Sequence, residues 1–180
     1  MAAPGKPSPL LLAHLEELRT LARLGPVVDV ACGRGRHALH LAALGIPVIG
    51  IDRNEAHLAE LWAEARRNAQ PVALLRADLE TEFGLPLVAG RCAAILVFRF
   101  LHRPLARALI DALQPGGLLL YETFTIHQKD LGYHIKNPDF LLQDGELPKL
   151  FAELDIREAW EGLTDDDPPT AVANIAAWKR

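Results

Sequence analysis

The chain has 180 residues, half of them hydrophobic and 23% charged. That balance suits one globular domain with its own core and excludes a disordered, collagen-like or coiled-coil protein. Nineteen Lys and Arg against 23 Asp and Glu give a formal net charge of −4, which offers no footprint for nucleic acid or an anionic membrane.

Ser8 followed by Pro9 predicts a helix start, with leucines repeating at helical spacing until Gly25-Pro26. Val27 to Ala31 is β-branched and apolar, a buried strand. Cys32-Gly33-Arg34-Gly35 is a tight turn into a helix from Arg36 to about Leu44. Val48 to Ile51 is a second strand ending at Asp52. Asn54 caps a helix whose core face is Leu58, Leu61, Trp62 and Ala65. Val72 to Leu75 is a third strand running toward Asp78, and Ala93 to Phe98 a fourth. Pro104 to Leu113 is helical, and Pro115-Gly116-Gly117 turns into a fifth strand, Leu118 to Thr123. Gly145 to Leu154 reads as a helix. Leu154 to Trp160 and Ala171 to Trp178 are two last strands, joined by the solvated acidic loop Asp165-Asp166-Asp167. Alternation of apolar strands with helices predicts an α/β fold: a Rossmann-like, doubly wound, three-layer sandwich, mostly parallel with an antiparallel last strand. All 180 residues are expected to form a single domain.

Cys32 and Cys92 make neither a disulfide framework nor a C-x-x-C pair, and both read as reduced thiols of a cytoplasmic protein. No apolar run approaches the roughly 18 residues of a membrane helix. His14, Glu16 and Glu17 interrupt the leucines that follow Lys6, against a signal-peptide core.

Asp29, Asp52 and Asp78 stand at predicted strand ends, where open α/β sheets bind ligands. Gly33-x-Gly35-x-x-Ala38 with Asp52 beyond it matches the dinucleotide fingerprint, so an NAD-dependent oxidoreductase is one reading. A carboxylate at Asp29 argues against it, because it would repel a pyrophosphate and hold an ammonium group. No Tyr-x-x-x-Lys stands as a hydride site. A non-catalytic cofactor-binding module is a further alternative. His37 and His40 share a helix face, but the sequence places no third ligand with them and no metal is expected. Cys32 is expected to pack as a small hydrophobe, and Trp62, Trp160 and Trp178 to lie in or beside the core.

Asp29-Val30-Ala31-Cys32-Gly33-Arg34-Gly35 resembles the first motif of class I S-adenosylmethionine-dependent methyltransferases. Leu113-Gln114-Pro115-Gly116-Gly117-Leu118 resembles that family's turn into strand five, and the likeness runs from Gly25 to about Thr123. It implies S-adenosyl-L-methionine as cofactor, with Asp29, Ala31, Gly33 and Gly35 at its methionine end. Asp52 and Arg53 would meet the ribose, Asp78 and Leu79 the adenine, and Phe98 and Arg99 would stand after strand four. Phe98-Arg99-Phe100-Leu101-His102-Arg103-Pro104-Leu105 and Asn137-Pro138-Asp139-Phe140 resemble a small bacterial, tellurite-resistance-like subgroup. The family's acid before strand four is missing from Cys92-Ala93-Ala94.

That resemblance implies in-line transfer of a methyl group to a small-molecule acceptor. Arg99-Phe100-Leu101 replaces the Asn/Asp-Pro-Pro-aromatic run of amino-group methylases, which disfavours a DNA-adenine or glutamine-amide acceptor. Arg99, His102 and Glu122 are the catalytic candidates. Arg99 and Arg103 could fork onto an anionic acceptor. His127, Tyr133 and His134 are further acceptor-site candidates. Residues 126–143 would form a lid, and the N-terminal helix of residues 1–24 would cover the site.

Overall fold

The computed structural model describes residues 5–132 and 137–180. Ser8 caps α1 (Pro9–Ala13), its side chain accepting the Leu10 N–H. The single N-terminal helix expected from the leucine spacing is two. His14 breaks it at φ −109°, and α2 (Leu15–Leu21) follows. The bend seats the buried His14 ring edge-on to Trp178, with centroids 5.9 Å apart.

The remaining elements follow the expected order. They are β1 (Val27–Val30), α3 (Arg36–Ala43), β2 (Val48–Asp52), α4 (Glu55–Arg67), β3 (Val72–Arg76), β4 (Cys92–Phe98), α5 (Ala106–Ala112), β5 (Leu113–Phe124), α6 (Glu146–Leu150), β6 (Asp155–Leu163) and β7 (Ala171–Trp178). One seven-stranded sheet has the order β3-β2-β1-β4-β5-β7-β6. The first five strands pair in parallel. The last, β7, inserts antiparallel between β5 and β6. This is the mixed, doubly wound sheet the alternation predicts.

Two layers cover the sheet. On one face Leu11 and Leu18 of α1 and α2, with Ala38 and Leu41 of α3, pack on Ala94, Leu96, Leu118 and Leu120. Each fully buried leucine contributes about 1.5–3 kcal/mol. α4 extends that layer with Leu58, Leu61 and Ala65. On the other face Leu109 and Ile110 of α5 and Leu147 of α6 meet Ile95, Val97, Leu119 and Tyr121.

Some expectations differ in detail. Trp62 is 46% exposed and Trp160 48% exposed. α4 covers only the sheet margin, so its stripe 58-61-65 faces inward while Trp62 meets solvent and Arg66. Trp160 lies on the edge strand β6, which is exposed along most of its length, as is the opposite edge β3. Apolar burial on both faces therefore holds for β1 and β4 but not for the edges. Strand β5 begins at Leu113 rather than Leu118, because Pro115-Gly116-Gly117 is absorbed as a bulge between the Cys92 and Ala94 pairings. A Cβ on Gly117 would sit 2.9 Å from the Gln114 carbonyl and 3.0 Å from that of Cys92. The expected helix Gly145–Leu154 shortens to the single turn of α6.

Candidate functional site

The carboxyl ends of β1, β2, β4 and β5 form a crevice closed at the back by the start of α3. Backbone turns shape it. Ala31 and Arg99, at the tips of β1 and β4, both take left-handed conformations (φ 55° and 57°), which is rare for residues with a Cβ. Gly35 at φ 78° begins α3, and a Cβ there would collide with Leu61 of α4. A glycine is what lets α3 start tight against the crevice.

Asp29 is 2% exposed. The Ala38 backbone N–H at the start of α3 stabilises its carboxylate, while Oδ2 is buried with no hydrogen-bond partner. Burial pushes this carboxyl up from 3.8 to about 7, against the pull of Ala38 and Arg36. An orphaned, desolvated carboxylate oxygen at a crevice wall is matched by a cation and repels a pyrophosphate. Beside it Cys32 is buried, and burial and Asp29 push its thiol strongly upward. It is an inert packing thiol, as its size suggests.

Asp52 binds the turn itself. Its Oδ2 accepts the Gly33 N–H at 2.7 Å and its Oδ1 the Asn54 N–H at 2.8 Å. A pocket of about 130 Å³ opens here, bringing together Ala31, Asp52, Arg53, Asp78, Leu79 and Phe100. Arg53 reaches Glu80 at 2.6 Å and Asp78 at 3.8 Å. Phe100 and Glu80 were not assigned to the site from sequence, since each becomes a wall only once the loops after β3 and β4 meet. A larger cavity, about 740 Å³, lies at the opposite end of the strands among Val27, Val48, Val72 and Trp62. It lacks the strand carboxyl ends and helix N-terminus on which ligand chemistry depends.

The other half of the crevice lies at β4 and β5. Glu122 is buried and accepts the Ser8 hydroxyl at 2.7 Å. Burial raises its carboxyl, while Ser8, Arg36, Arg99 and Asn174 oppose the rise. Arg99 is exposed, its N–H bonded to the Glu122 carbonyl at 2.8 Å and its guanidinium 5.6 Å from the Phe124 ring. Phe98 stacks at 3.9 Å on His37. His37 accepts the Ser8 N–H at Nε2, at 3.2 Å, and burial with Arg36 and Arg99 nearby lowers it to about 3, keeping it neutral. Arg36 and Asn174 were missed in sequence, His37 was weighed only as a metal ligand, and Ser8 was read only as a helix cap. The helix-cap signal located Ser8 but not what lies opposite its hydroxyl.

The Arg103 guanidinium is committed to partners within the fold. It binds Glu146 and the carbonyls of Asp139 and Leu141, at 2.8, 2.6 and 2.9 Å, strapping the segment before α6 to the 3-10 turn before α5. Arg36 takes its place as the second arginine near Arg99, the two repelling each other. His102 stands at the N-cap of that 3-10 turn, where its side chain makes no capping hydrogen bond. His127 is exposed and bonded to Asp144 at 2.8 Å, with Glu161 close by. Tyr133 and His134 lie outside the described residues. The two ends of the expected lid are fastened, Ile126 N–H to the Leu142 carbonyl at 2.8 Å and Gln128 to the Ala171 N–H at 2.6 Å.

A family model described as a methyltransferase domain matches residues 27–117. The chain belongs to this methyltransferase family. The crevice fits the cofactor of such an enzyme, S-adenosyl-L-methionine, because the unpartnered Asp29 oxygen suits its cationic methionine end. The reductase and non-catalytic alternatives give way to that finding. No curated protein matches the methyltransferase significantly. Its fold resembles that of TehB from Haemophilus influenzae (19% identity, TM-score 0.70), covering 92% of this chain and 62% of that one, so the chain spans less than two thirds of TehB. It also resembles an S-adenosylmethionine-dependent methyltransferase from Mesorhizobium loti (18%, 0.68, covering 93% and 98%). A third likeness is to one from Methanosarcina mazei (16%, 0.73, covering 97% and 99%).

Proposed function

We propose that this methyltransferase methylates a small anionic or soft nucleophilic acceptor by in-line displacement. The observation that carries the reading is the nearness of the Arg36 and Arg99 charges to each other and to buried Glu122, which Ser8 binds. Two guanidiniums that repel each other gain most when an anion lies between them. When bound, the cofactor would supply a sulfonium-activated methyl group open to in-line displacement by the acceptor.

The chain's residues then bind, orient and exclude water. Asp29 holds the cofactor's ammonium, with Ala31, Gly33 and Gly35 shaping the turn beside it. Asp52 meets the ribose diol with Arg53 at its side, and Asp78 and Leu79 face the adenine. Phe98 and Arg99 bound the methionine end. Arg99 orients the acceptor. Glu122 takes the proton where the acceptor carries one, as a thiol does, and a carboxylate acceptor releases none. His102, three residues beyond Arg99 in the chain, is a further catalytic candidate on the acceptor side. The motif at residues 98–105 and the likeness to TehB support a tellurite-resistance-like enzyme. The acidic net charge and reduced thiols support a cytoplasmic protein without nucleic-acid or membrane partners. No helix of the described residues is long and apolar enough to cross a membrane.

Calorimetric titration with S-adenosylhomocysteine, and separately with NADH, tests the cofactor. Transfer of labelled methyl to a panel of small carboxylates, thiols and amines tests the acceptor. Micromolar binding of the homocysteine analogue with silent NADH is expected, and label should enter acids or thiols. Label entering amines alone would overturn the anionic reading.

A further inference from the structure

A cluster of exposed side chains outside the crevice has no part in the reaction above. It lies where the two ends of segment 126–143 meet β6. Thr125 and Leu142 pair in a parallel bridge, with the Ile126 N–H on the Leu142 carbonyl at 2.8 Å and the Leu142 N–H on the Phe124 carbonyl at 2.9 Å. Two residues beyond each partner stand His127 and Asp144, whose Nε2 and Oδ1 are 2.8 Å apart. The Gly145 N–H then holds Glu161 Oε2, from β6, at 3.0 Å. One ligand atom from each of His127, Asp144 and Glu161 lies within 4.8 Å of the other two, and all three side chains are open to solvent. On its other side the imidazole faces a third carboxylate, with Nδ1 3.8 Å from Asp130 Oδ2. Among the described residues no lysine or arginine pairs with Asp130, Asp144 or Glu161.

We propose that His127, Asp144 and Glu161 form a zinc-ion site that clasps both ends of segment 126–143 to β6. Zinc takes imidazole nitrogen and carboxylate oxygen at about 2.0–2.2 Å, which sets neighbouring ligand atoms about 3.3 Å apart. The cluster stands near that spacing, and its exposed side chains have room to close the difference. The ion takes the place of the proton that Nε2 shares with Asp144. Glu161 keeps one oxygen on Gly145 and turns the other to the metal. Asp130 stands behind the ring on its Nδ1 side, where a carboxylate orients a histidine ligand and strengthens it. Three carboxylates around one imidazole repel each other, and a dication relieves that repulsion. The imidazole favours zinc over magnesium and calcium, which prefer oxygen ligands alone. The site uses no residue to which the acceptor reading gives a step, so the two stand or fall separately.

The test is calorimetry on the chelator-treated full chain, titrating zinc chloride, with the melting temperature followed with and without zinc. One zinc ion per chain should bind and raise the melting temperature. His127→Ala and Glu161→Gln should each weaken zinc at least tenfold and abolish the rise in melting temperature. Asp130→Asn, which acts only through the ring, should weaken zinc several-fold. All three side chains are exposed, so the zinc-free variants should melt as the zinc-free parent does. If one variant fails to fold, the others decide the question. A large excess of magnesium should leave zinc bound. Zinc binding that survives both His127→Ala and Glu161→Gln would place the ion elsewhere, and the proposal falls. It falls equally if no zinc binds, or if magnesium displaces it, for the cluster would then be an ordinary acidic surface. None of these readouts needs an acceptor or the cofactor.

Discussion

Asp29→Asn should stabilise the empty protein and cripple cofactor binding. The buried carboxyl stands at about 7 against an ordinary 3.8. For an acid raised in this way the folded state binds more protons than the unfolded one between those values. Stability therefore falls as pH climbs from about 4 to 7 and stays reduced above that. At 1.36 kcal/mol per pKa unit the loss above pH 7 is about 4 kcal/mol. Asparagine keeps the shape and cannot ionise, so at pH 8 urea denaturation should show a gain of up to about that size, shrinking toward zero near pH 4. Binding runs the other way. The cofactor's ammonium needs the ionised carboxylate, so the association constant for S-adenosylhomocysteine should rise about tenfold per pH unit up to about pH 7, then level off. In Asp29→Asn it should be low and flat with pH. Calorimetry between pH 5.5 and 8.5 reads both curves. A parent affinity independent of pH, or an Asp29→Asn protein no more stable than the parent at pH 8, would refute the reasoning.

Asp52→Ala should lower S-adenosylhomocysteine affinity at least tenfold, since each charge-assisted hydrogen bond it makes is worth about 1.5–3 kcal/mol, and calorimetry on the folded variant checks it. Arg99→Ala should raise the acceptor KM by a larger factor than it weakens S-adenosylhomocysteine binding, as steady-state kinetics and calorimetry together would show. Arg103→Ala should leave cofactor affinity intact and lower the melting temperature, because it removes the partner of part-buried Glu146. A changed affinity with unchanged melting would return Arg103 to the site. Gly35→Ala should destabilise by about 1–3 kcal/mol through the positive φ and the collision with Leu61, which urea denaturation measures.

By itself the sequence determined the element order, the parallel sheet and the chemistry of the glycine turn. Those signals are local: β-branched runs, the caps at Ser8 and Asn54, and a motif whose residues are neighbours in the chain. The placing of Asp29, Asp52 and Asp78 at strand ends followed from the alternation alone, because a doubly wound sheet puts every strand's carboxyl end on the same side. Only the tertiary structure decided which side chains meet. Arg103 and Arg36 are both arginines near a motif. Glu146, 43 residues along the chain from Arg103, draws that guanidinium away, while Arg36, at the start of α3, comes within reach of the charges of Arg99 and Glu122. Ser8 lies 114 residues from Glu122, a contact that no spacing rule encodes. The same holds for burial at the margins. Trp62 obeys the helical period, yet α4 rests on the edge of the sheet, and what lies beneath a helix face is set by the strands that assemble under it rather than by the helix itself.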